Sequence, residues 1–314
     1  MGSWQVTVTD HQRRSGGRPQ GRPEGPLARR DGLEVHGRDG ELRCVDATGR
    51  VRWRRPCPGR PNAAHLSADR ALVTTDSFDY TAWGHLGPAL LLDLADGSTV
   101  AELRGERAAA LDGGRFALGL EGYDTFRTWA YDRDGTPVDS WPSYGHYVVG
   151  DGLRVVETDR RRPTRSRVVR LLPGGRIERG PLLADPQAPE PLVLPDGTLL
   201  VLDAGTLRAV GHDLDDAVLA ELHPLAADRQ HRFTGSLRRT ADRPDVTLPA
   251  GSRPDATRPD ATPPDATLPD VTLLDATLVE RHPTRMGAYT THAWRLELHP
   301  PRRIRAHPVG PGLD

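Results

Sequence analysis

Three observations predict an all-β chain. A unit of roughly 40 residues recurs along it, a period that marks radial or linear repeat folds. Short apolar runs are separated by tight turns rich in Gly and Asp. No stretch carries the 3.6-residue periodicity of an amphipathic helix. Two hairpins per unit make a four-stranded antiparallel meander, and about six such units in tandem hide their faces and edges best by closing into a ring. The expected fold is a β-propeller of about six four-stranded antiparallel blades, with a disordered insertion in the last blade. A β-sandwich, or a pair of them, is the alternative that the same turns allow.

The first hairpin of each unit is a short strand, an Asp/Gly turn and a second strand. It reads AAHLS-ADR-ALVTTD up to Asp76, AAAL-DGG-RFALGLE up to Glu121, HYVV-GDG-LRVVE up to Glu157 and PLVL-PDG-TLLVLD up to Asp203. A fainter copy is PLAR-RDG-LEVHG. The second hairpins are ELRCVD-ATG-RVRW, ALLLDL-ADG-STVAEL, TWAYD-RDG-TPVDSW, RVVRL-LPGG-RIERG and TLRAVG-HDLD-DAVLAEL. Gly and Asp tolerate the positive φ that tight hairpin turns require. Runs such as ALLL and LLVL are apolar on both sides, as strands sandwiched between neighbouring sheets must be. RFTGSLRRT and HAWRLELHPPRRIRAHP supply a sixth unit, and the Trp4 to Thr9 strand completes an additional or shared blade.

The boundaries follow from composition. Residues 1–10 form an N-terminal strand and residues 11–29 an Arg/Gly/Pro-rich linker. Residues 30–240 hold five blades and the start of the sixth, residues 241–280 a low-complexity insertion, and residues 281–314 the last blade and tail. Within the insertion lies a five-residue repeat, PDVTL, PAGSR, PDATR, PDATP, PDATL, PDVTL, LDATL, spanning Pro244 to Leu278. Proline every fifth residue removes a backbone donor and forbids helix and central strand. The tract is therefore expected to be extended and disordered.

The run C-V-D-A-T-G-R-V-R-W, Cys44 to Trp53, resembles the repeat of the quinoprotein-like propellers, where an aspartate, a Thr-Gly turn and a tryptophan recur from blade to blade. Trp129 and Trp141 flank a second hairpin without the Thr-Gly turn, and later blades keep only Asp or Gly. The resemblance implies a propeller across most of Arg30 to Pro308, in a degenerate and non-catalytic form. Catalytic members of that group are usually much longer and secreted, so it implies no cofactor, and a PQQ-binding relative is the third functional reading.

Composition narrows function. The formal net charge of −1 argues against a whole-surface attraction to nucleic acid or acidic membranes. Every basic residue of the Lys+Arg count is arginine, which reads as genomic codon bias. Residues 11–31 carry six arginines but no aromatic residue to stack a base. There is no apolar run of membrane-spanning or signal-peptide length, and the two cysteines form no CxxC pair. A cytoplasmic protein is the expectation.

The chemical signals are few. Asp76, Glu121, Glu157 and Asp203 end the second strand of successive units, on the face where loops open. They are the candidate ligands for a divalent cation, calcium first, since carboxylate oxygens suit it. A metal-dependent propeller hydrolase or lactonase using Asp76, Glu121 and Asp203 is the runner-up function, although such sites also use an asparagine and Asn62 is the only one here. No HExxH, Gly-x-Ser-x-Gly or phosphate-binding loop is present. The aromatics Phe78, Tyr80, Trp83, Tyr123 and Phe126, with Tyr144 nearby, cluster at the variable loops and would anchor a partner protein where exposed. The preferred reading is a non-catalytic interaction or sensor propeller that binds a protein, with no cofactor expected.

Overall fold

The structure, a computed structural model, describes residues 4–16, 25–38, 40–82, 84–122, 124–150, 152–185, 187–223, 232–239, 272–281 and 289–300. These residues form six antiparallel sheets, each the width of a propeller blade. One 3-10 turn, Asp112–Gly114, is the only helical element among them. Blade 1 runs through Ala28–Arg30, Leu33–Arg38, Glu41–Val45 and Val51–Pro56. Blade 2 comprises Arg60–Ser67, Arg70–Thr81, Pro88–Asp93 and Thr99–Arg104, with the short strand Gly84–Leu86 paired to the end of its second strand. Blade 3 is Arg107–Ala110, Phe116–Glu121, Phe126–Tyr131 and Pro137–Trp141. Blade 4 is Gly145–Gly150, Gly152–Thr158, Ser166–Leu172 and Arg176–Leu182. Blade 5 is Leu192–Val193, Leu199–Asp203, Thr206–Val210 and Asp216–Glu221. The first strands of blades 1 to 4 touch in succession, as inner strands around a central axis do.

Blade 6 joins the two ends of the chain. Arg232–Arg239, Thr272–Arg281 and Tyr289–His299 are its first three strands, and Gln5–Gly16 is the fourth. The pairing runs antiparallel from Gln5 opposite His299 to Gly16 opposite Tyr289, with a bulge between Val8 and Asp10. The N-terminal strand thus completes a shared blade. It also runs past the expected boundary: residues 11–16 are strand, as are 28–30, so the linker expected over residues 11–29 shortens at both ends.

The expected insertion over residues 241–280 is too long as well, because Thr272–Arg281 is the second strand of blade 6. The last repeat copy, LDATL, begins with Leu274 where the other copies have proline, apart from their own variations within the unit. Leucine restores the backbone donor that a central strand needs. Leu274, Ala276 and Leu278 are fully buried on one face, so the period of two in this copy matches a strand. Residues 241–271 lie outside the described residues.

Five apolar clusters fill the seams between consecutive blades. Each inner strand serves both neighbours by alternation. In blade 2, Ala71, Val73, Leu90 and Leu92 pack towards blade 1, while Leu72, Ala89 and Leu91 pack towards blade 3. In blade 5, Leu199 and Val201 face blade 4, and Leu200 and Leu202 face blade 6. This explains the continuous apolar runs: both faces are interior. Each fully buried Val or Leu among them contributes roughly 1.5–3 kcal/mol.

Hydrogen bonds pin two of the seams at their outer edges. Trp53 donates its indole N–H to Leu94 O across the blade 1–2 seam (3.0 Å), and Trp141 does the same to Leu172 O between blades 3 and 4 (2.7 Å). Gly97, at φ +75°, lies under the Trp53 ring, where an added Cβ would stand 2.7 Å from Cδ2. The Asp46 carboxylate caps its Thr-Gly turn by accepting from Thr48 N (2.9 Å), Thr48 Oγ1 (2.6 Å) and Arg50 N (3.1 Å). The aspartate and tryptophan of the sequence repeat are thus turn cap and seam pin. Cys44 and Cys57 are buried in the blade 1–2 cluster, and burial raises both thiol pKa values.

Candidate functional site

The loop after the second strand of each blade and the connection to the next blade emerge on the same side, termed here the upper face. Asp76, Glu121, Glu157 and Asp203 all stand at this end of a second strand, in equivalent positions. Their surroundings differ, and the connection that leads into each blade decides how.

Asp203 is the most enclosed, at 1% exposure. The connection into blade 5 folds back over it, so Oδ1 accepts from Ala184 N (2.7 Å) and Asp185 N (2.8 Å). Its Oδ2 accepts from Arg208 Nε (2.9 Å), whose other arm reaches Asp216 (2.6 Å). Asp185 itself is buried, with Oδ1 accepting from Gln187 N (2.9 Å) and Oδ2 without a hydrogen bond. Burial, reinforced by the neighbouring Asp203 charge, raises the Asp185 pKa to about 7.

Glu157 is held by the connection into blade 4. The Ser143 hydroxyl and the Tyr144 backbone N–H both donate to it. Burial still dominates and raises its pKa to about 7. Asp76 accepts from Asn62 Nδ2 (2.7 Å), and Asn62 in turn accepts from the Thr74 hydroxyl. Glu121 is exposed, and its carboxylate receives no hydrogen bond among the described residues.

The expected metal ring therefore does not form. Among the described residues, no group of three or more His, Cys, Asp or Glu side chains is placed to hold one ion. Asp203 and Glu157, on blades 5 and 4, are occupied by their own connections, whereas Asp76 stands on blade 2. The single asparagine, Asn62, is engaged in holding Asp76.

Asp76 and Glu121 do share a cavity of about 510 Å³ between blades 2 and 3 on the upper face. Glu106, Tyr80 and His85 also line it, and no arginine does among the described residues. A second cavity of about 450 Å³ lies nearer the central axis, bordered by blades 3 to 6, from Arg107 and Phe126 to His146, Glu190 and Ser236. Glu121 lines both, so the two cavities adjoin at its side chain. Arg107 is half-buried with its guanidinium 5.3 Å from the Tyr144 ring centre. It makes no ion pair among the described residues. The Tyr144 hydroxyl donates to Glu106 (2.7 Å), and burial raises its pKa. Burial lowers the His146 pKa to about 4, so that imidazole is neutral at pH 7.

The expected aromatic anchors divide. Phe78 and Tyr80 stand on the part of Arg70–Thr81 that leaves the blade beyond Asp76 and pairs with Gly84–Leu86. They are 46% and 77% exposed. Tyr80 packs edge-on against His85, with ring centres 5.4 Å apart, and Arg60 lies 5.5 Å from the Phe78 ring centre. Phe126 is half-buried between Tyr144 (5.9 Å) and Arg160 (4.8 Å). Tyr144 is core, at 6% exposure. Trp83 and Tyr123 lie outside the described residues. Sequence reasoning missed Glu106 and Arg107. They form the short connection into blade 3 and the start of its first strand, and nothing in their local pattern marks them.

No protein-family model matches the chain, and no curated protein matches it in sequence. Solved structures resemble it in fold. BamB from Moraxella catarrhalis aligns at 18% identity over 83% of this chain and 79% of its own, with a TM-score of 0.45. The Dos1 propeller aligns at 8% identity over 84% and 75%, also with a TM-score of 0.45. Apo AztD from Citrobacter koseri aligns at 11% identity over 84% and 69%, with a TM-score of 0.41.

Proposed function

We propose that this chain is a non-catalytic interaction module that grips another protein with its upper face, over blades 2 and 3. One observation carries the reading: the hairpin bearing Phe78 and Tyr80 leaves the blade with both rings exposed, Tyr80 at the rim of a cavity. Large rings offer much contact area for little lost conformational freedom, which is why such residues anchor interfaces. Blades 2 and 3 below it are each braced by two apolar seams, so the hairpin is presented from a rigid base. Three carboxylates in the cavity would repel phosphate backbones, which favours a protein partner over nucleic acid.

The test places a photo-cross-linking amino acid at Tyr80 and, separately, at Val138, which is 55% exposed on the outer strand of blade 3. In cells that make the protein, Tyr80 should yield one discrete protein adduct and Val138 none. The captured protein, purified, should then bind the unmodified chain directly and lose most of its affinity for Tyr80→Ala. Equal adducts at both positions, or none at Tyr80, would overturn the reading.

A further inference from the structure

The two cavities that meet at Glu121 differ in charge. The one beside the aromatic hairpin is lined by Asp76, Glu106 and Glu121, with no arginine among the described residues to compensate them. The one nearer the axis contains Arg107, a half-buried guanidinium stacked on Tyr144 and without an ion pair among the described residues. Glu121 and Glu190 line that second cavity too, yet neither stands within ion-pair distance of Arg107. A partly desolvated charge without a counter-charge is a place where an arriving opposite charge gains most. Exposed Tyr80 at the outer end adds a ring face suited to a cation or an aliphatic stem.

We infer that the two adjoining cavities form one groove for an extended peptide segment of the partner, taking an arginine or lysine side chain between Asp76, Glu106 and Glu121 and a carboxylate on Arg107. The inference rests on the reading of this face as protein-binding. Each cavity falls within the size range of small-ligand pockets, enough for one or two side chains. Charge sorts the occupants: a polyanion is repelled at one end and a purely basic segment leaves Arg107 without a partner, whereas a peptide carrying both signs satisfies both ends.

The probe is an array of immobilised nonapeptides carrying an arginine and a glutamate at varied spacing, with arginine-only and glutamate-only versions, overlaid with the intact protein. Peptides with both charges should bind about tenfold more tightly than either single-charge series, the effect of one charge-assisted contact. Arg107→Gln should lower them to the arginine-only level, and Glu121→Gln to the glutamate-only level. Tyr80→Ala should weaken all of them. Both charge variants should keep the wild-type melting temperature, which separates loss of binding from loss of fold. Arginine-only peptides that bind equally well and ignore Arg107→Gln would overturn the proposal, as would an array without signal. If the array stays blank while Tyr80 still cross-links one protein, the groove inference falls and the interaction face stands; if both fail, both fall.

Discussion

Asp203 and Glu121 occupy the same position in their blades but live in opposite environments. Over blades 4 and 5, residues 183–191 lead into blade 5 and have enough length to fold back on Asp203 and donate two backbone N–H groups. Over blades 2 and 3, only Gly105 and Glu106 separate the strands ending at Arg104 and starting at Arg107. Two residues cannot reach over Glu121, so its carboxylate stays in solvent beside a cavity. A repeat position sets where a side chain starts, and the connection into the blade sets what it becomes: a structural anchor in one case, a free surface charge in the other.

Removing the anchor should have the largest effect. Asp203→Ala removes one of the two carboxylates that hold Arg208 and leaves the Ala184 and Asp185 N–H groups without their acceptor, and should destabilise the protein by about 3–5 kcal/mol or prevent folding. Glu121→Ala should change stability by less than about 0.5 kcal/mol, as surface substitutions do. Denaturant unfolding of both variants checks the pair, and similar values would break the comparison.

The next effect is pH-dependent. Glu157 has a folded pKa of about 7, raised from 4.5 by burial. The folded state therefore holds its proton more tightly than the unfolded chain between those values. Its contribution is fully favourable below about pH 4.5 and declines as pH rises through 7, by up to about 3 kcal/mol. Asp185 acts in the same sense. His65 and His146, with pKa values lowered to about 4 by burial, act in the opposite sense and cost stability as pH falls below 6.5. The wild-type melting profile is the sum of these trends, so the informative quantity is a difference. Glu157→Gln should gain stability relative to wild type on going from pH 5 to pH 8. A difference that does not vary with pH would show that Glu157 is not buried as described.

Smaller effects belong to the open side. Phe78→Ala and Tyr80→Ala should leave the melting temperature within about 2 °C of wild type, because both residues are exposed, Tyr80 the more so, and exposed substitutions cost little. Their effect should appear only in partner binding. Added calcium should leave the melting temperature unchanged, since ligands that bind only the folded state raise it. A calcium shift abolished by Asp76→Asn would restore a metal site between blades 2 and 3 and weaken the interaction reading.

Much of the fold could be read directly from the residues. Turns such as ADG, RDG and PDG set the hairpins, and the doubly apolar LLVL and ALLL runs announced sheets packed on both sides. The exposed pair Phe78 and Tyr80 was also legible, because the DSFDY run continues a strand with residues no seam can use. The metal ring was not, because alignment along the chain places carboxylates at equal heights without saying how far apart six blades hold them. The strand made from the last PDAT-like copy was hidden by its resemblance to its neighbours. One proline-to-leucine difference at Leu274 separates a core strand from the rest of the tract.

By itself, then, the sequence determined the repeat unit, the hairpin turns, the apolar faces and the aromatic hairpin, because these depend on contacts between residues close along the chain. Tertiary structure alone decided that the N-terminal strand closes blade 6, that Ala184 and Asp185 cover Asp203, and that Glu121 and Arg107 line one cavity. Those outcomes depend on residues from distant blades arriving at the same place, and closing the ring is what brings them there.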